Sequence, residues 1–217
     1  MKKRILSILL LCCMVLTLLP TTVLAADGPM DTIPKYDVSI DVYNRTSDIS
    51  IKDSRSYYIY SSVPDKLRDT WAWDKKIFIK GDKTAPHVFI DGVNIEMSPS
   101  SKGPAIELNK KASAYIYFIG KNSSLQGADG RAAIQKNRSE GQLYVLARTG
   151  TTVTCKGGHR AAGIGGSWAI RNIGDPMFNM DMYGHGVNMH FGSQSNPDYW
   201  GGTIAAIGGN GGAGIGG

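Results

Sequence analysis

Apolar and polar residues alternate over short runs along most of this chain, and the runs are bounded by glycine, asparagine, aspartate or lysine. Many of the residues in these runs are β-branched or aromatic, which is the pattern of a β-strand with a buried face. The clearest runs are 77–81, 88–97, 114–120, 143–146 and 151–155. Because no long stretch after the first 25 residues carries apolar residues at helical spacing, the pattern predicts an all-β protein.

A glycine-rich phrase recurs between these runs. Residues 157–166 read Gly-Gly-His-Arg-Ala-Ala-Gly-Ile-Gly-Gly, and residues 208–217 return to the same Gly-Ile-Gly-Gly ending. Diluted versions near residues 103 and 130 share its kernel, a small residue followed by isoleucine. The kernel isoleucines are Ile106, Ile134, Ile164 and Ile215, at steps of 28, 30 and 51 residues. Repeats with periods of about 20–50 residues indicate solenoids, propellers or arrays.

Strands joined by glycine corners predict the coils of a parallel β-helix. Small corner residues let successive coils approach one another at the ordinary interstrand spacing of about 4.8 Å. A period of about 28 residues gives about five coils between Ile77 and Gly217. The step of 51 residues fits one coil with an insertion or two irregular coils. The alternative is an antiparallel β-sandwich, which does not need the same phrase at every turn.

The first residues have the features of a secretory signal. A basic start, Met1 to Arg4, precedes an apolar run from Ile5 to Leu19, and a small-residue cleavage site ends at Ala25. This arrangement predicts a signal peptide over 1–25. A membrane anchor is the alternative, but the run is short for a span. Cleavage would remove three basic residues and lower the net charge from +6 to +3, too mild a charge to indicate nucleic-acid binding.

The rest of the chain divides into a linker and one domain. We expect a linker over 26–35 and a β-helical domain over 36–217, with 36–76 forming its N-terminal cap and first turn. Cys155 is the only cysteine outside the signal, so no internal disulfide is expected, and its strand-like setting predicts a buried small hydrophobe. The last residues lie inside the glycine-rich phrase. We therefore expect either a fragment of a longer protein or an open end that docks on downstream coils or a partner chain.

Several of these segments resemble a family of secreted bacterial proteins with carbohydrate-binding domains. The segments are 88–95, 103–106, 117–122, 141–145, 163–166 and 214–217. The resemblance covers 38–217 and implies a right-handed parallel β-helix, similar in shape to pectate-lyase-type solenoids. It also implies a secreted or cell-surface location, an adhesin-like role and sugar binding. Family members usually carry further coils after the last phrase, where this chain stops, and no short motif assigns their binding residues.

Aromatic residues in polar segments are the candidates for a sugar-binding site. A polysaccharide binder needs rings that stack on sugars and polar groups that reach hydroxyls. The candidates are Trp71, Trp73, Trp168, Tyr199, Trp200 and Asp198. The structural alternative is that these rings cover the end or side of the solenoid.

An enzyme would need different chemistry. A lyase requires a base that removes a proton α to a carboxylate, and a cation that neutralises this carboxylate. Acidic residues and histidines do collect in the irregular region 167–201, but at no recognised metal-ligand spacing: Asp175, Asp181, His185, His190 and Asp198. The residues identify no metal site; calcium is the one cofactor they leave open, since hard oxygen ligands are plentiful.

The sequence therefore predicts an all-β, secreted solenoid that binds extracellular polysaccharide without catalysis. No further membrane span is expected after signal removal, and no nucleic-acid partner. A polysaccharide lyase or hydrolase is one alternative. The other is a structural stalk segment of a larger surface protein, which would bind no ligand.

Overall fold

Three parallel β-sheets, here named A, B and C, enclose one apolar core in the computed structural model of the chain. The structure describes residues 35–98, 101, 103–109, 111–136, 140–167, 186–193 and 196–216. Every strand pairing in these sheets is parallel, which excludes the antiparallel sandwich. The prediction of an all-β parallel solenoid is confirmed.

The strands of each sheet stack in chain order. Sheet A contains β1 (Val38–Asp41), β3 (Ser56–Tyr60), β5 (His87–Asp91), β8 (Ala114–Ile119), β11 (Leu143–Ala147) and β14 (Met189–Phe191). Sheet B contains β2 (Ile49–Ile51), β4 (Ile77–Lys80), β7 (Ile106–Asn109), β10 (Ile134–Lys136), β13 (Ile164–Gly165) and β16 (Ile215–Gly216). Sheet C contains β6 (Asn94–Glu96), β9 (Ser123–Gln126), β12 (Thr152–Lys156) and β15 (Thr203–Ile207).

Each complete turn passes through sheets A, C and B in that order. Four turns, beginning at β5, β8, β11 and β14, place a strand in all three sheets. The two turns before them have strands in sheets A and B only, although Trp73 forms an isolated parallel bridge to Ile95 in sheet C. Helical structure among the described residues is confined to the 3₁₀ turn Asp65–Leu67 and to Ser101, which also has 3₁₀ geometry. None of the helical structure in this part of the chain is long and apolar enough to cross a membrane.

An isoleucine ladder along sheet B accounts for the repeated kernel. Successive strands place isoleucines in direct register, in the order Ile49, Ile77, Ile106, Ile134, Ile164 and Ile215. The first five are buried, and the last, on the edge strand β16, is 49% exposed. Each kernel isoleucine thus begins a strand of sheet B, immediately after the small residue of the corner.

The long step in the repeat is one turn with an insertion. Ile164 pairs directly with Ile215, and Tyr144 pairs directly with His190. Both pairs are neighbouring rungs, so no second coil lies between them. The structure therefore decides between the two explanations that the sequence left open.

Glycine is required at the sheet C to sheet B corners because successive coils nearly touch there. A β-carbon added to Gly158 would lie 1.9 Å from the carbonyl oxygen of Ala128. One added to Gly209 in the next coil would lie 1.8 Å from the oxygen of Gly158. No side chain fits at such distances, so the glycine-rich phrase keeps the corners closely stacked.

Cys155 lies on the inward face of β12 and is fully buried. Burial raises the pKa of its thiol to about 12. The side chain therefore packs as a small apolar group in the core, as the sequence predicts.

Candidate functional site

The outer face of sheet C presents two rows of polar side chains to solvent. Register places the first row on successive strands as Asn94, Ser124 and Thr154. It places the second row as Glu96, Gln126 and Lys156. The residues between them in sequence point inward and are buried: Ile95, Leu125 and Cys155. Alternation along each strand thus gives one face to the core and leaves a polar floor outside.

The segment between β3 and β4 forms a wall beside this floor, and Arg68 anchors it. The guanidinium of Arg68 donates hydrogen bonds to the carbonyl oxygens of Gly92 (3.0 Å) and Val63 (3.4 Å). It also lies 3.3 Å from the carboxylate of Asp65. Asp65 pairs in addition with Lys121 at 2.7 Å, and the hydrogen bonds from Lys121 and Arg68 hold the pKa of the Asp65 carboxyl below its usual value.

Asn94 joins the wall to the floor. Its side-chain amide donates to the carbonyl oxygen of Arg68 at 3.0 Å, and its side-chain oxygen accepts from the backbone N–H of Ser124 at 3.0 Å. Both hydrogen-bonding ends of the asparagine are therefore used. The position of the wall relative to strands β6 and β9 is fixed before any ligand arrives.

Trp71 closes one end of the floor. Its ring is half-buried, packs against the core, and meets Tyr43 edge-on with 5.5 Å between ring centroids. It lines a pocket of about 150 Å³ whose other polar walls are Asp69, Asn94, Glu96, Ser124 and Gln126. An aromatic surface thus stands beside carboxylate, amide and hydroxyl groups.

The Trp71 pocket continues into a larger groove along the same face. The groove has a volume of about 640 Å³ and shares Asp69, Asn94 and Ser124 with the pocket. Beyond them it is lined by Arg68, Lys121 and residues of the next two strands, including Thr152 and Thr154. We refer to the pocket and groove together as the sheet-C groove.

Trp73, the neighbouring candidate, is part of the core. It is 3% exposed, and its indole N–H donates to the carbonyl oxygen of Arg45 at 2.8 Å. Its backbone also pairs with β6, through an N–H to Asn94 and a carbonyl that accepts from Glu96. The ring therefore offers no face to a ligand, and its role in this structure is to hold the wall against sheet C.

The second group of candidates lies on the sheet A side of the molecule. Trp200 is 3% exposed, with its ring 5.0 Å from that of Tyr117 and 4.8 Å from that of Tyr199. Tyr199 is half-buried beneath the guanidinium of Arg148, at 5.2 Å. Asp198 is exposed, and its backbone oxygen accepts a hydrogen bond from the Thr149 hydroxyl. The structure does not bring this group to the sheet-C groove.

Of the remaining residues that the sequence singled out, only His190 is among the described residues. Trp168, Asp175, Asp181 and His185 lie outside the described residues. His190 is exposed on β14, where its ring stacks on Tyr144 at 4.4 Å and its Nε2 lies 2.7 Å from Gln142 Oε1. Among the described residues, no group of three or more His, Cys, Asp or Glu side chains could hold a metal ion. The expectation of no cofactor, with calcium left open, stays a prediction.

Stacked aromatic columns on the outer face of sheet A were not predicted from the sequence. Phe89 stacks on Tyr117 at 4.5 Å, and Tyr115 stacks on Tyr144 at 4.7 Å. The signal was available, since these pairs are 28 and 29 residues apart, which is the repeat period. Phe89, Tyr117 and Tyr115 are buried, so these rings stabilise the stack of coils, whereas Tyr144 is half-buried.

Comparisons with known proteins give no information on the function of this chain. No protein-family model matches the chain, and neither the curated proteins nor the solved structures yield a significant match. The resemblance to secreted carbohydrate-binding proteins thus stays an expectation from the sequence.

Proposed function

We propose that the protein is a secreted carbohydrate-binding or adhesin-like module that recognises extracellular polysaccharide without catalysis. The observation that carries this proposal is the half-buried ring of Trp71, which lines one end of the polar sheet-C groove. An open groove on a solenoid suits a polymer, because a chain can lie across several strands.

The chemistry of the groove suits sugars. A pyranose ring has apolar C–H faces and a rim of hydroxyl groups. The first can stack on Trp71, and the second can donate to Asp69 and Glu96 or exchange hydrogen bonds with Gln126. Hydroxyl side chains of Ser124 and of the threonines farther along the floor extend the same polar surface.

The floor is also rigid enough to bind with little loss of entropy. Ser124 and Thr154 are fixed by strand register, and Asn94 is held at both ends by hydrogen bonds. Sites on regular strands hold their geometry better than sites on loops, and preorganisation lowers the cost of binding.

A polysaccharide pull-down with a matched pair of variants tests the proposal. We expect the purified chain to be retained on at least one insoluble polysaccharide, and Trp71→Ala to weaken this retention by at least about tenfold, equivalent to about 1.4 kcal/mol. Phe78→Ala is the control, because Phe78 is also half-buried but lies on the outer face of sheet B. Thermal melting of both variants checks that each is folded.

Two results would count against the proposal. Retention that Trp71→Ala leaves unchanged would show that the sugar binds elsewhere. A folded chain retained on no polysaccharide would instead support the structural stalk.

A polysaccharide hydrolase is a second candidate, because two carboxylates, Asp69 and Glu96, line the same pocket. Most glycoside hydrolases use a pair of acidic residues that flank the bond to be broken. Incubation with the retained polysaccharide separates the candidates: shorter products that disappear in Asp69→Asn or Glu96→Gln indicate hydrolysis, whereas an unchanged polymer indicates binding alone.

A further inference from the structure

We propose that the Trp71 pocket is selective for sugars that carry a protonated amine, such as an N-deacetylated hexosamine. This inference rests on the proposed function and specifies its ligand. It follows from the charges of the pocket, from its aromatic wall and from the positive charge of the whole chain.

The two carboxylates of the pocket have no basic partner among the described residues. Asp69 and Glu96 are exposed, and neither forms an ion pair or a side-chain hydrogen bond within the part of the chain that the structure describes. They approach the pocket from different elements, Asp69 from the wall and Glu96 from β6. An ammonium group in the pocket could therefore meet negative charge from two sides.

Basic residues around the pocket are paired with other groups, as Lys75 is with Asp74 at 2.7 Å. Arg68 is bound to Asp65 and to two carbonyl oxygens, and Lys121 is bound to Asp65. Lys156 is on the same row as Glu96 but two strands away, which is about 9.6 Å at 4.8 Å per strand. No lysine or arginine lines the pocket itself among the described residues.

Trp71 adds to the preference for a cation. The face of an indole carries negative electrostatic potential and attracts an ammonium group placed over it. The same ring can stack on the sugar to which the amine is attached. Gln126 leaves both a donor and an acceptor for the neighbouring hydroxyls.

The net charge of the chain makes the test informative. The whole chain is +6, and it remains +3 if residues 1–25 are removed. Long-range electrostatic repulsion therefore works against the binding of a cationic glycan. A preference for such a glycan must come from a local site.

Calorimetric titration with two glucosamine oligomers of equal length, one N-acetylated and one fully deacetylated, tests the inference at pH 6, where the free amines are protonated. We expect the deacetylated oligomer to bind at least about tenfold more tightly. Asp69→Asn and Glu96→Gln should each lower its affinity severalfold and lower the affinity for the acetylated oligomer much less, because the amide oxygens still accept from sugar hydroxyls but carry no charge for an ammonium group. Asp82→Asn is the control, since it removes an exposed carboxylate from the turn between β4 and β5.

The outcomes separate this inference from the proposed function. If the acetylated oligomer or a neutral polysaccharide binds as tightly, and the Asp69 and Glu96 variants change nothing, amine selectivity is overturned while carbohydrate binding stands. If Asp82→Asn lowers affinity as much as Asp69→Asn, the preference is general electrostatics and the inference also fails. If Trp71→Ala retains full affinity for the deacetylated oligomer, the site is elsewhere. Failure of every glycan to bind the folded chain would overturn both proposals.

Discussion

At the scale of single residues, three tryptophans that look alike in the sequence have different environments. Trp71 and Trp73 are two positions apart in one polar segment, yet Trp71 lines the sheet-C groove and Trp73 is buried beneath it. Trp200 is buried on the sheet A side. The sequence could identify aromatic residues in polar surroundings, but the exposure of each ring depends on which strand forms backbone hydrogen bonds with its segment. The ring of Trp73 is buried because its backbone pairs with β6.

Cys155 gives a prediction at this scale. Because burial raises the pKa of its thiol to about 12, the reactive thiolate is scarce at pH 8 in the folded state. We expect Cys155 not to react with a thiol reagent at pH 8 until the chain is unfolded. The extent of labelling at Cys155 is the labelling of the unmodified chain minus the labelling of the Cys155→Ala variant. This subtraction also removes the contribution of Cys12 and Cys13, which both chains contain. Rapid labelling of the native chain at Cys155 would contradict its placement in the core.

The same shift has a consequence for stability. The folded state favours the neutral thiol, so this contribution is fully present below the unfolded pKa, near 9, and is lost as pH rises towards about 12. The chain with Cys155 should therefore lose stability over that interval relative to Cys155→Ala.

At the scale of strands, the spacing of the repeat predicted the stacking of the coils, which the individual alternating runs could not show. The spacing of the kernel isoleucines indicated stacked coils, and the register confirms that these residues are neighbours. The glycine content of the phrase predicted corners, but no local pattern showed that each isoleucine begins a strand of sheet B. Strand β9 was not predicted, because Ser123–Gln126 is mostly polar and Leu125 is its one apolar residue. A strand with so little apolar content is recognised only through its partners.

The isoleucine ladder supports a comparison of two identical substitutions. Ile134→Ala, in the middle of the ladder, removes a fully buried side chain and should cost about 2–5 kcal/mol of unfolding free energy. Ile215→Ala, in the same register on the edge strand, removes a side chain that is 49% exposed and should cost less than about 1 kcal/mol. Denaturant unfolding measures both changes. Similar losses for the two variants would contradict the ladder.

At the scale of the whole molecule, the candidate site is a product of the winding of the chain. Its floor comes from strands about 30 residues apart in sequence, as in the pairing of Asn94 with Ser124 and of Ser124 with Thr154. Its wall comes from a segment that precedes all of them. The sequence could supply Trp71 as a candidate with Asp69 as a polar neighbour in the same segment, but not Glu96, because no local pattern distinguishes Glu96 from other surface carboxylates. Only the fold brings these residues to one pocket.

Blocking the groove tests the central claim most directly. Ser124 is exposed at the middle of the sheet-C floor, and Ser50 is exposed on β2 of sheet B. Ser124→Trp should fill the groove without disturbing the core, whereas Ser50→Trp places the same side chain on another sheet. The measurement is the affinity of each variant for the polysaccharide that the unmodified chain retains. The account predicts that Ser124→Trp loses at least about tenfold in affinity and that Ser50→Trp loses almost none. Equal binding by the two variants would contradict a binding site on sheet C.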